Sequence, residues 1–261
     1  MIQSCKKIFE RLTGMLSPDE LTRYDRQILI DEIGESGQRK LKRSKVMIAG
    51  AGGLGSTIAL YLAAAGIGTI RIVDHDRVEL SNLNRQILHW HDDIGRNKIS
   101  SAGDKLKRIN PLTEVEPVCE ALTPNNISQL AAGSDIIVDA LDNLETRLLL
   151  NRAAFDHNIP LVHGAVKGFE GRILTVIPGR TACLRCIYKG PLEAGKFPVI
   201  GVTPAVVGSL QATEVIKYLV RTGDLLTNRL LIYDGLSMTF DEFKINKNPD
   251  CEQCGKKKDE G

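Results

Sequence analysis

Four of the six cysteines fall in two pairs of the same spacing, Cys183-Leu184-Arg185-Cys186 and Cys251-Glu252-Gln253-Cys254. Two such knuckles supply four thiolates, the set that a tetrahedral Zn²⁺ takes. Four protein ligands fill the shell, so this zinc is expected to be structural and not catalytic. With 64 residues between the pairs, the metal would staple the C-terminal segment back onto the body. The alternative is a dithiol redox pair. A redox CxxC sits at a helix start in a thioredoxin-like βαβ context, which neither pair has. Of the remaining two, Cys119 follows a strand-like run and reads as a buried small apolar residue. Cys5 lies in a terminus expected to be mobile.

A second set of residues is suited to a nucleotide. The run Gly50-Ala51-Gly52-Gly53-Leu54-Gly55 follows an apolar strand and opens a helix-like stretch. Strand, tight turn and helix in this order make a dinucleotide-type phosphate cradle. Gly50 allows the sharp turn, Gly52 lets backbone approach a phosphate, and Gly55 lets helix pack on strand. The helix N-terminus supplies free N–H groups and a positive dipole end. Asp74 lies 24 residues after Gly50, at the end of a second apolar run, where a ribose-binding carboxylate is expected. Asn82 and Arg85 follow just past that strand edge, where ligands bind in doubly wound sheets; a loop with Asn turns reads equally well. Lys98 stands near a helix start, a poor place for a cation unless it meets an anion. Asp142 closes a buried strand, and either caps the next helix or holds Mg²⁺.

These residues need an alternating scaffold, and the chain reads as one. Ser17-Pro18-Asp19-Glu20 is a helix start, with serine as cap and proline in the first turn. Leu12, Leu16 and Leu21 could line one helix face. Arg23-Tyr24-Asp25-Arg26-Gln27-Ile28-Leu29 reads as an amphipathic helix with solvated arginines, and residues 38–45 as a solvated face and connector. Strands are expected over residues 46–49, 69–73, 114–118, 134–140, 159–164, 172–177 and 229–234, and helices over 96–109 and 206–221, with a short one opening after Thr123. His89-Trp90-His91 reads as a surface or partner contact, since histidines two apart do not share a helix face. Residues 187–202 form a long irregular stretch, functional or disordered. The lysine-rich tail, residues 256–261, should be mobile.

Composition excludes several classes. A 43% hydrophobic, 25% charged chain of 261 residues fits an ordinary soluble core. A net charge of +2 gives no reason to expect nucleic-acid binding. No apolar run is long enough to span a bilayer, and the start lacks a secretory signal pattern, so a cytoplasmic protein is expected.

Taken together, Arg23-Tyr24-Asp25-Arg26-Gln27, Gly50-Ala51-Gly52-Gly53-Leu54-Gly55, Asp74-His75-Asp76, Ser81-Asn82-Leu83-Asn84-Arg85-Gln86, Lys98, Asp142-Asn143 and the paired CxxC motifs resemble the MoeB/ThiF/HesA family, relatives of the ubiquitin-activating enzymes. The resemblance runs from about Leu21 to Gly255. It implies an α/β fold: a Rossmann-like doubly wound sheet extended by antiparallel strands, with a structural zinc site stapling the C-terminus. It also implies an N-terminal helical arm (1–30), an ATP-binding part (31–178) and a zinc-knuckle, carrier-binding part (179–261) of the same domain. The implied activity is adenylation. ATP·Mg²⁺ and the C-terminal Gly-Gly tail of a ubiquitin-like sulfur carrier give an acyl-adenylate and pyrophosphate. The resemblance puts Gly50, Gly52, Gly53, Gly55, Asp74 and Asp76 on the nucleotide, Asp74 on the ribose, Asn82, Arg85 and Lys98 on the phosphates, and Asp142 on Mg²⁺. Arg26 would reach the γ-phosphate in a neighbouring subunit, implying a homodimer. Loop 187–202 would cover the carrier's tail.

One departure from the family pattern matters. Many relatives carry a cysteine in this loop, whereas Lys196-Phe197-Pro198-Val199-Ile200 has none. The reading therefore stops at the adenylate, with sulfur arriving from a separate donor. The rivals are an NAD-dependent oxidoreductase, a non-catalytic scaffold half of an activating enzyme, and a relative that activates a peptide or tRNA carbonyl. Arg85, Lys98 and Asp142 suit a triphosphate and metal better than a nicotinamide, and their retention argues against a scaffold.

Overall fold

The computed structural model describes residues 15–188 and 197–255. The readings on Cys5, Leu12, residues 189–196 of the long loop and the tail 256–261 lie outside them.

The chain opens with α1 (Pro18–Arg23). Its expected start is a full capping box: Ser17 Oγ accepts the Glu20 N–H, and Glu20 Oε2 accepts the Ser17 N–H at 2.8 Å. The expected leucine face does not form, because Leu16 precedes the helix and Leu21 is exposed. Nor is the next segment one amphipathic helix. It breaks at Tyr24, which is buried and accepts a hydrogen bond from Asn110, before α2 (Asp25–Ile28). Arg23 and Arg26 are exposed as expected. In α3 (Gly34–Arg43), Gln38 and Leu41 are buried and the Gln38 amide donates to Ala65 O, which corrects the reading of this stretch as a solvated face.

The body then alternates: β1 (Lys45–Ala49), α4 (Gly53–Ala65), β2 (Thr69–Val73), α5 (Lys98–Ile109), β3 (Glu114–Val118), α6 (Ile127–Ala131), β4 (Ile136–Asp139), α7 (Leu144–Asp156), β5 (Leu161–Lys167) and β6 (Glu170–Val176). After α8 (Leu184–Ile187) come the long α9 (Val202–Val220), β7 (Arg229–Asp234) and β8 (Thr239–Lys244). Helix α9 starts one turn earlier than the periodicity predicts, and β8 is an addition to the expected strands.

All strands join one sheet in the order β3-β2-β1-β4-β5-β6-β7-β8. Pairing is parallel from β3 to β5 and antiparallel from β5 to β8. The strand order reverses between β1 and β4, which makes the sheet doubly wound, with the parallel strands' carboxyl ends on one edge. Both faces of the parallel half are covered, so β1 is apolar at successive positions. Val46 and Ile48 pack with α3, α4, α5 and α9, while Met47 and Ala49 pack with α6, α7 and the cysteine knuckles.

Candidate nucleotide and zinc sites

The glycine run forms the turn between β1 and α4. Gly50 has φ +103°, and a Cβ there would lie 2.7 Å from Ala140 O. Gly55 is the tightest: its Cβ would lie 1.9 Å from Gly50 O. Its requirement comes from the turn's own carbonyl, more than from the strand. Gly52 differs. Its Cβ would meet nothing nearer than Gln86 Nε2 at 3.7 Å, so this position is open on the protein side, as a cradle for a ligand would be. The N–H groups at the start of α4 have no intrahelical partner and converge there.

The expected acids and bases gather along the same edge. Asp74 Oδ2 accepts the Ala51 N–H and Oδ1 the Asp76 N–H, both at 2.8 Å, which locks the carboxylate against the glycine turn. Asp76 pairs with buried Lys98 at 2.8 Å. Burial alone would push the Asp76 carboxyl up, but the Lys98 hydrogen bond and charge hold it below the ordinary carboxylate value. Asn82 is buried and its Oδ1 accepts the Glu79 N–H. Arg85, half-buried, donates to Ser81 O and Asn84 Oδ1.

The structure assigns the helix cap after β4 to Asn143, not to the acid. Asn143 caps α7, its Oδ1 accepting the Thr146 N–H at 2.9 Å. Asp142 is exposed, and its carboxylate has no hydrogen-bond or ion-pair partner among the described residues. It stands two residues beyond Ala140, whose N–H donates to Ala49 O and whose carbonyl abuts Gly50. A hard carboxylate oxygen beside a phosphate cradle fits Mg²⁺, which takes one or two protein carboxylates plus phosphate oxygens. Arg26 stands apart on α2, exposed and likewise without a partner among the described residues.

Two expectations need correction. His89 is not a surface residue: it is buried, with Nδ1 at 2.9 Å from Ser101 Oγ and Nε2 at 2.9 Å from Ala51 O. The carbonyl it reaches lies 38 residues away, which local pattern does not reveal. Trp90 and His91 are exposed. Cys119 is exposed, because the chain has left β3 at Val118 before reaching it.

Sequence reading also missed a buried polar cluster beneath Asp142. Asp139 and His163 face each other in register across β4 and β5, with Oδ2 and Nδ1 2.6 Å apart. His163 Nε2 accepts from the Tyr188 hydroxyl at 2.8 Å. Burial pushes the His163 pKa down and the Tyr188 pKa up. Asp139 Oδ1 accepts the Leu141 N–H, and Arg147 donates to Leu141 O. Leu141, the residue before Asp142, is thus held at both its N–H and its C=O. A polar residue ending each of two otherwise apolar strand runs was the available signal.

The four knuckle cysteines come together as expected, with all Sγ atoms within 4.8 Å of one another. Cys183 and Cys251 are 3.6 Å apart, Cys186 and Cys254 3.4 Å. Tetrahedral zinc with Zn–S near ~2.3 Å separates its sulfurs by about 3.8 Å, so the cluster is of the size to hold the ion. Burial pushes the Cys183 thiol up to about 11. At Cys251 burial also raises, but N–H groups of Cys254 and Gln253 outweigh it and bring the thiol to about 7. A dication at the centre favours the thiolate at every one of these positions. The Arg185–Glu252 ion pair, at 3.1 Å, links the two knuckles on the outside.

A nucleotide cradle at the carboxyl edge of a doubly wound sheet, with a four-cysteine knuckle closing its antiparallel extension, defines a nucleotide-using α/β class. A sequence model described as the ThiF family matches residues 24–253. The SAMP-activating enzyme E1 of Haloferax volcanii is 44% identical over 250 residues, covering 94% of this chain and 92% of the relative. The sulfur carrier protein adenylyltransferase of Thermus thermophilus is 41% identical over 248 residues, 91% of this chain and 92% of the relative. Among solved structures, Escherichia coli MccB with ATP superimposes with a TM-score of 0.82 at 25% identity, over 89% of this chain and 73% of that one. The chain belongs to the ThiF family.

Proposed function

We propose that this protein is an adenylyltransferase that activates the C-terminal glycine carboxylate of a ubiquitin-like sulfur carrier, forming an acyl-adenylate and pyrophosphate. The observation that carries the reading is the open glycine cradle with Asp74, Lys98, Arg85 and Asp142, unpaired among the described residues, along one sheet edge. Membership of the ThiF family and the names of its relatives support it.

The nucleophile is a carboxylate already ionised at neutral pH, so no general base is needed. The difficulty is electrostatic: one anion must approach another in line with the leaving pyrophosphate. In this reading the N–H groups at the start of α4 bind phosphate oxygens, and Asp74, fixed by two backbone bonds, holds the ribose hydroxyls with its remaining lone pairs. Arg85 turns from Ser81 and Asn84 to the phosphates, with Asn82 beside it. Lys98, held by Asp76, adds a second positive charge. Asp142 holds Mg²⁺, which neutralises phosphate charge when bound.

Arg26 has no partner among the described residues, and Leu29 and Ile30 are exposed beside it. These features support a homodimer in which Arg26 reaches the neighbouring site. Residues 31–178 then bind ATP, residues 179–261 hold the carrier, and the arm 1–30 joins protomers. Zinc in the knuckle keeps the carrier-facing part in place. No helix of the described residues is long and apolar enough to cross a membrane. Four zinc-competent thiols fit the reducing cytoplasm proposed as its location.

The test is ATP–pyrophosphate exchange with purified protein and candidate carriers ending in Gly-Gly. Exchange that depends on a carrier is the expected result. ATP binding without exchange for any carrier would overturn the assignment.

A further inference from the structure

The glycine cradle has a buried support that the proposed chemistry does not use. The Ala51 peptide groups are held on both sides. The Ala51 N–H donates to Asp74 at 2.8 Å, and Ala51 O lies 2.9 Å from His89 Nε2. A carbonyl oxygen can only accept, so Nε2 carries the proton. Burial holds the His89 pKa below its ordinary value, leaving the ring neutral and Nδ1 an acceptor. Ser101 supplies the proton there, at 2.9 Å. The serine oxygen in turn accepts from buried Lys105 at 2.7 Å. Lys105 is itself fixed by Asp93 and by the face of Trp90, 4.6 Å from its Nζ. The His89 tautomer directs the Ser101 hydroxyl to Nδ1, with Asp93 the other acceptor within its reach.

The consequence lies in the next atom. Ala51 C=O and Gly52 N–H belong to one trans peptide and point in opposite directions. With the carbonyl held inward by His89, the Gly52 N–H is turned to the opposite side of the peptide. A flexible glycine peptide has little other reason to keep this orientation.

We propose that His89 is a positioning residue of the nucleotide cradle, set in its tautomer by Ser101 and Lys105, and that it holds the Ala51–Gly52 peptide so that the Gly52 N–H faces a bound phosphate. The proposal rests on reading the cradle as an ATP site. It identifies a determinant of phosphate affinity that makes no contact with nucleotide.

The experiment measures calorimetric affinities of the full-length protein for ATP and for adenosine, with melting temperatures alongside. His89→Leu should weaken ATP by about 3–10-fold, the range of one net hydrogen bond, and leave adenosine unchanged. His89→Gln, whose amide N–H can replace Nε2–H, should return ATP affinity to within about 2-fold of wild type. Ser101→Ala, which removes the tautomer's donor, should fall between. A merely structural histidine would lower the melting temperature without changing the ratio of ATP to adenosine affinity, and that result overturns the proposal. If His89→Leu does not fold, unchanged ATP affinity in Ser101→Ala overturns it instead. Failure of the wild-type protein to bind ATP would overturn the nucleotide reading as well.

Discussion

Two glycine-to-alanine substitutions in adjacent helices should have opposite effects, and the difference can be worked from distances. Gly55 stands in the first turn of α4, where a new Cβ would lie 1.9 Å from Gly50 O. Real Cβ atoms essentially never approach closer than 3.0 Å, so the turn and helix must separate by at least about 1 Å. Overpacking of this kind costs about 1–3 kcal/mol, against which alanine recovers about 1 kcal/mol of helix propensity. The net loss of up to about 2 kcal/mol corresponds to a fall in melting temperature of up to about 8 °C. The functional cost should be larger, because a catalytic geometry displaced by about 1 Å loses about 100-fold in rate. Gly103 lies inside α5, where a Cβ would meet only Pro117 at 3.9 Å. Gly103→Ala should therefore raise stability by about 0.5–1 kcal/mol and leave turnover unchanged. Melting curves and ATP–pyrophosphate exchange on the two variants make the comparison. Wild-type exchange in Gly55→Ala, or equal damage from Gly103→Ala, would refute the argument that the cradle is set by this contact.

Asp142→Ala should reduce exchange by about 100-fold or more while shifting the melting temperature by less than about 2 °C, since the carboxylate is exposed and unpaired; normal turnover would remove it from metal binding. Metal analysis should find one zinc per chain, and Cys251→Ser or strong chelation should lower the melting temperature; a metal-free protein of undiminished stability contradicts the staple. Lys105, with the Trp90 N–H, holds the Asp93 carboxyl at about 2 against the burial that would raise it. A depressed carboxylate stabilises above its unfolded value of 3.8 and loses that contribution as pH falls toward about 2, so about 2 kcal/mol should vanish across this window. Denaturant titrations of wild type and Asp93→Asn between pH 5 and pH 2 should converge at the acid end; parallel curves would show that the pair does not titrate there.

Much of the architecture was legible because the central parallel strands β1 and β4 are buried on both faces and read as apolar runs. The expected bounds of β2, β3 and β7 coincide with those found. Strand β8 was not legible: Thr239-Phe240-Asp241-Glu242-Phe243-Lys244 lies exposed on both faces, so no burial pattern shapes it. The break between α1 and α2 was hidden for a different reason. Tyr24 leaves the helix to reach Asn110, 86 residues away, and this tertiary bond outweighs local periodicity. At the site, the glycines, Asp74 and the cysteines carry their roles in their spacing. His89, Asp139 and His163 do not, since their partners meet them only through strand register and chain crossing.

The span between the knuckles also has a meaning in time. Cys251 follows Cys183 by 68 residues. At synthesis rates of ~5–20 residues per second, the first CxxC waits about 3–14 s for the thiols that complete its shell. During that interval β1 to β6 are all available to pair, and two cysteines alone hold zinc weakly. Capture of zinc by all four thiols would therefore come late in the birth of the chain. Every strand from β1 to β8 precedes Cys251 in the chain, so a nascent protein short of zinc would have its strands made and its knuckle open.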